Sequence, residues 1–121
     1  MTTPPTKDIT LYQNDTFEMT VVYEDSDGNP ITNLSKAQIQ IKATKGAAFA
    51  AALLVVNETS GITLTANQGR LAIKLTDEQT AGLTAPGSGY YDLVVETTGN
   101  DKYVLLQGEV TILQGVTTWQ T

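Results

Sequence analysis

The chain has 121 residues with 40% hydrophobic content, which sets one domain with a single core. Its net charge of −6 and its seven scattered Lys and Arg argue against nucleic acid as a partner and against docking on an anionic membrane surface. Cys and His are both absent, which excludes a disulfide framework, structural zinc and imidazole catalysis; carboxylate-only chemistry and oxygen-ligand metals remain open. There is no run of about 18 apolar residues that would span a bilayer. The first seven residues lack the basic-then-apolar layout of a signal peptide.

In chain order, residues 1–8 read as an extended arm, with Pro4 and Pro5 favouring a polyproline conformation held only by a partner. Residues 9–12 form a short first strand, and Gln13-Asn14-Asp15 a turn. Residues 16–24 alternate clearly, with Phe17, Met19, Val21 and Tyr23 on one face. The stretch Asp25-Ser26-Asp27-Gly28-Asn29-Pro30 is dense in turn residues. Residues 31–34 bridge to a strand over 36–44, with Ala37, Ile39, Ile41 and Ala43 inward. The segment 47–56 is ambiguous. Its alanines favour helix and its end favours strand, so a loop or short helical turn leading into a strand is expected. Ser60-Gly61 turns the chain, 62–64 is a short alternating strand, 66–69 is another turn, and 70–75 is a strand with Leu71, Ile73 and Leu75 inward.

Thr76 precedes Asp77 and Glu78 and stands three residues before Gln79, the spacing of a capping box, so a short helix is expected near 77–82. Then come the two longest strands, 89–98 and 102–113, joined by Gly99-Asn100-Asp101. The first alternates Tyr91, Leu93 and Val95 against Asp92, Val94 and Glu96. The second places Val104, Leu106, Gly108, Val110 and Ile112 on one face. Strands recurring between Gly, Asn and Asp turns indicate an all-β antiparallel sandwich of seven or eight strands. The domain is expected over 9–117, with a tail at 118–121 carrying the single Trp.

Candidate chemistry is sparse. Asp25, Asp27 and Asn29 have the alternate spacing that opens a calcium loop, but Pro30 replaces the required Gly and Lys36 the bidentate Glu, so a side-chain-capped turn is the better reading. Asp92 sits on the most central strand, with Glu96 and Glu109 as the carboxylates to consider beside it. Its face is expected to be wet and no active site is assigned. The aromatic residues Tyr12, Tyr23, Tyr90, Tyr91, Tyr103 and Trp119 could make a sugar-stacking platform, with Tyr90, Tyr103 and Trp119 the ones to test. The Ala-rich run with Ala48, Phe49, Ala50 and Leu53 is an adaptable contact candidate, as are Pro4, Pro5 and Trp119 in the tails.

Several short pieces occur in a recognisable order. They are 9–17 (Ile-x-x-Tyr-Gln-Asn-Asp-Thr-Phe), Asp27-Gly28-Asn29-Pro30 followed by Leu34, and Ala37-Gln38-Ile39-Gln40-Ile41-Lys42. Gly61-Ile62-x-Leu64, Gly69-x-Leu71-x-Ile73-x-Leu75-Thr76 and Gly89-Tyr90-Tyr91-Asp92-Leu93 follow, then Leu106-x-Gly108-x-Val110-x-Ile112 and Val116-Thr117. In this arrangement the chain resembles small bacteriophage virion proteins with an immunoglobulin-like β-sandwich, similar to the N-terminal domain of upper baseplate proteins in phages of Gram-positive bacteria. The resemblance implies no enzyme activity and no cofactor. It implies a structural place in the particle (baseplate, tail, neck, fibre attachment or capsid decoration), made in the host bacterial cytoplasm. The partners it implies are other virion proteins and further copies of the chain, as a trimer or hexamer. The Ala-rich run and the absence of a long fibre domain depart from the pattern and favour a stand-alone component. The competing reading is a carbohydrate-binding or adhesive module.

Overall fold

The computed structural model describes residues 5–47 and 51–115. Eight strands form two sheets: β1 (Ile9–Tyr12), β2 (Phe17–Val22), β3 (Leu34–Lys42), β4 (Leu54–Asn57), β5 (Ile62–Thr65), β6 (Arg70–Leu75), β7 (Gly87–Thr97) and β8 (Lys102–Leu113). One sheet has the order β1-β8-β7-β3-β4 and the other β2-β6-β5. The chain crosses from sheet to sheet between β1 and β2, β2 and β3, β4 and β5, and β6 and β7. This is an immunoglobulin-like sandwich, as the alternation and turn spacing indicate.

The core is aliphatic. Leu11, Ile41, Val56, Leu71, Leu93, Val95, Val110 and Ile112 are almost wholly buried, and Tyr91 is the aromatic side chain among the buried core residues. The β2 side chains Phe17, Met19 and Val21 face this core but are only half-buried, because β2 is the edge of the smaller sheet. Helix α1 (Asp77–Ala81) links β6 to β7. Thr76 Oγ1 accepts from Gln79 N, and Gln79 Oε1 accepts from Thr76 N, the reciprocal capping box read from the sequence. Five residues cannot sustain a helix alone. The buried Thr80 hydroxyl ties this one down by donating to Asp15 O at 2.8 Å.

The β7–β8 hairpin fills the second and third places of the five-stranded sheet. Its turn uses Asn100 in the left-handed conformation at φ 69°. The register expected for β8 holds only in part. Leu93 pairs with Leu106 but Val94 pairs with Val104, so Leu105 is an extra residue, a β-bulge. Beyond it the two faces exchange. Val104, expected inward with Leu106, points outward and is 40% exposed, while Tyr103 pairs with inward-facing Val95. A second shift at Ser35, between β3 and β7, turns Leu34 into the core, so β3 starts earlier than expected. It also ends earlier: Ala43, expected inward, is exposed beyond the strand end at Lys42.

The N-terminal segment departs most from the reading of a free arm. Thr6 bridges Gln107 in parallel, in the same register as Ile9 with Val110. Lys7 N donates to Gln107 O at 2.8 Å, and Gln107 N to Pro5 O at 3.2 Å. Residues 5–8 are thus a forward extension of β1 along β8. Gly108 permits this approach, since a Cβ there would collide with Lys7 O. Pro4 lies outside the described residues.

Replacing Leu93 by Ala removes a fully buried side chain from the centre of the sandwich. The expected cost is about 2–5 kcal/mol, read as a lower urea midpoint at unchanged slope.

Candidate functional site

On its outer face the five-stranded sheet carries a groove of about 640 Å³. Two rungs of cross-strand neighbours make its floor. Gln40, Asp92 and Gln107 face one another on β3, β7 and β8, and Lys42, Tyr90 and Glu109 form the next rung. Their faces follow from the period of two on β7: Tyr91, Leu93 and Val95 go to the core, so Tyr90, Asp92 and Val94 go to the groove. One wall is the segment from Thr6 to Asp8, held on β8. The other is the turn after β3, from which Lys45 reaches over the Tyr90 ring, with Nζ 5.2 Å from its centroid. Lys42 Nζ donates to Ala47 O at 2.8 Å, fixing that turn.

The carboxylate face expected around Asp92 is recessed rather than flat, with Asp92 half-buried and Glu109 exposed. Burial pushes the Asp92 carboxyl above its ordinary value of 3.8, and the Lys42 ammonium offsets part of the shift. Of its two candidate partners, Glu96 is remote: it stands four residues along β7 and pairs with Lys102 at 3.2 Å and Lys36 at 3.8 Å. Glu109 is the diagonal neighbour of Asp92, a placement that sets the two residues about 7–8 Å apart. Neither Asp92 nor Glu109 takes part through its carboxyl in the hydrogen bonds of the described residues. The pair thus lacks a group that would orient either one for proton transfer.

Tyr91 anchors the wall from below. Its buried hydroxyl donates to Lys7 O at 2.6 Å. Its pKa is pushed up to about 12, by burial first and by the Asp8 carboxylate second. Asp8 in turn accepts from Glu109 N at 3.0 Å through Oδ1.

The other candidates are dispersed. Among the described residues, the five tyrosines do not form one platform. Tyr91 and Tyr23 belong to the core and its margin, Tyr12 and Tyr103 are exposed, and the bulge puts Tyr103 on the opposite sheet face from Tyr90. Asp25 caps its own turn, its Oδ1 accepting from Asp27 N at 2.9 Å and Asn29 N at 3.0 Å, as a turn reading requires. Leu53 is 42% exposed while its backbone N donates to Ile41 O at 2.7 Å. Pro5 is exposed on the extension of β1 along β8. Ala48, Phe49, Ala50 and Trp119 lie outside the described residues. The groove floor was missed because Gln40 and Gln107 look like ordinary outward strand residues. The available signal was their shared parity with Asp92 on three long strands.

Comparison with known proteins bears on the fold. No family model matches the chain, and no curated protein sequence matches it. Among solved structures, a chicken TCR superposes with a TM-score of 0.53 at 12% identity, over 94% of this chain and 55% of that one. The chain thus spans little more than half of that structure. The extracellular domain of the voltage-gated sodium channel beta4 subunit, described there as parallel homodimers, gives 0.47 at 12% identity over 96% of this chain and 98% of that one. The first likeness supports an immunoglobulin-like sandwich.

Two substitutions test the site's electrostatics. Because the folded-state pKa of Asp92 is raised, the unfolded chain ionises first and stability falls as pH rises through the window from 3.8 upward. Asp92→Asn is expected to remove that fall, so its urea midpoint exceeds that of the parent at neutral pH and the gap closes below pH 3.8. Tyr91→Phe leaves Lys7 O without its donor. The expected cost is about 1 kcal/mol at neutral pH, and the parent's loss of stability between pH 10 and about 12 should flatten in the variant.

Proposed function

We propose that the chain is a non-enzymatic structural component of a phage particle, working through protein–protein contacts. Its place is in the tail, baseplate or neck, or as a decoration of the capsid, and it self-associates there as a trimer or hexamer. The resemblance in order and spacing of its strand pieces to small virion proteins motivates the reading. Leu53 is the observation that carries it. This residue has its backbone hydrogen-bonded to β3 and its large apolar side chain exposed at the β4 edge of the sheet. A side chain presented this way has already lost backbone freedom, so ordering it on a partner costs little. Together with Ala48, Phe49 and Ala50 next to it in sequence, it supplies an apolar contact element of the kind that marks interfaces. Pro4, Pro5 and Trp119 are proposed as further contacts from the two ends. The double-sheet core supplies rigidity to these peripheral pieces.

The test is a mass-spectrometric inventory of purified particles with copy numbers. Copies in a multiple of three or six place the protein in the tail or neck, and hundreds place it on the capsid. Its absence from particles ends the proposal. Leu53→Asp should melt like the parent, because the side chain is exposed. It should lower incorporation by roughly tenfold or more, the effect of losing one interface anchor.

A further inference from the structure

We propose that the groove on the outer face of the five-stranded sheet binds a neutral saccharide, with the rung Gln40–Asp92–Gln107 as its hydrogen-bonding floor. The inference is independent of the virion reading. Its size, about 640 Å³, lies within the range of small-molecule sites, roughly 300–1,000 Å³. Both walls are already in place. Lys7 and Asp8 are bonded to β8 and Tyr91, and the turn carrying Lys45 is tied through Lys42 to Ala47 O. A ligand therefore meets a largely formed site and little has to be ordered.

The chemistry of the floor selects the ligand class. A carboxylate accepts only, an amide both donates and accepts, and a sugar hydroxyl does both. Two amides flanking one carboxylate therefore match hydroxyls spread across a sugar ring, since three neighbouring strands present them side by side about 4.8 Å apart, wider than the gap between hydroxyls on adjacent ring carbons. Gln40 Nε2 donates to Gln38 Oε1 at 2.6 Å, which holds that amide at the edge of the recess. Asp92 is half-buried, and its carboxyl takes no hydrogen bond from the described residues; a hydroxyl would supply a donor to it. Charge narrows the choice. Three carboxylates (Asp8, Asp92 and Glu109) stand against two ammonium groups (Lys42 and Lys45), an excess of one negative charge in a chain of net charge −6. Phosphate, sulfate and uronate ligands are repelled by that balance. A metal cation lacks a ligand set, because among the described residues no three carboxylates converge to hold one. A neutral polyhydroxyl ligand carries neither penalty.

The intact chain should be screened on an array of immobilised neutral mono- to tetrasaccharides of hexoses and N-acetylhexosamines, with sialylated and sulfated glycans alongside. The best neutral binder is then titrated into ¹⁵N-labelled protein. Expected are binding to a neutral sugar and amide shifts centred on Gln40, Tyr90, Asp92 and Gln107. Gln107→Ala and the near-isosteric Asp92→Asn should each weaken binding by about tenfold or more, as loss of a hydrogen bond to a partly buried polar group does. Lys36→Ala, outside the groove, should bind as the parent does. Thermal melts of each variant separate lost binding from lost folding. The proposal is overturned if no neutral glycan binds, if only acidic glycans bind, or if the shifts map elsewhere, such as around Tyr103.

Discussion

The alternation along β7 governs both faces of this protein. β7 is the third of five strands and is hydrogen-bonded on both edges, to β3 and to β8, over the stretch from Tyr90 to Glu96. Gly89, Tyr91, Leu93, Val95 and Thr97 are buried, and the residues between them line the outer face. A slip of one residue would expose Leu93 and bury Asp92, exchanging an aliphatic core for an unpaired carboxylate. Register here is therefore strongly specified. The same specification that builds the core aligns Gln40, Asp92 and Gln107 across three strands.

Two bulges release this constraint where the sheet must end. Leu105 on β8 and Ser35 on β3 both lie toward the hairpin tip, and each shifts its strand by one residue against β7. An added residue bends the strand and increases its local twist. At the tip the outer face thus loses the pattern of the groove. Val104 emerges on it, and Tyr103 crosses to the other side. Glu96 lies next to this change and carries two lysine neighbours, which makes its end of the face an ion-paired patch distinct from the recess around Asp92.

Much of this was legible in residues with strong local signals. The inward positions Ala37, Ile39 and Ile41 of β3, the inward sets of β6 and β7, the capping box at Thr76 and Gln79, and the Asp25 turn all follow from period and turn chemistry. The bulges are not legible in that way: strict alternation fails at Val104-Leu105-Leu106, where three consecutive apolar residues mark a change of phase, and at Ser35, which carries no such mark. The groove was not legible either. It depends on Thr6 to Asp8 lying along Gln107 to Glu109, a contact between residues about a hundred apart in sequence. Pro4-Pro5 signals extension but not what the extended chain lies against. A glycine at 108, in an otherwise well-formed strand, was the clue that another backbone passes close by.

That close passage is tied to the strand where an immunoglobulin-like sandwich usually carries its fastener. In the immunoglobulin arrangement the strand corresponding to β7 carries a Tyr two residues before a half-cystine that bridges the sheets. Tyr91 and Leu93 stand at this spacing, and with no Cys in the chain the bridging position is filled by a fully buried aliphatic side chain. The Tyr hydroxyl is directed to the N-terminal segment, where it donates to Lys7 O. The bond joins the central strand to the edge of its own sheet across β8. It fixes β1 and its extension without a covalent link between sheets, and it raises the wall that turns a flat sheet face into a recess. Stability at the chain's start and the shape of the outer face thus have a common cause. A substitution that lifted residues 5–8 off β8 would cost parallel pairing and, in the same step, open the groove to solvent.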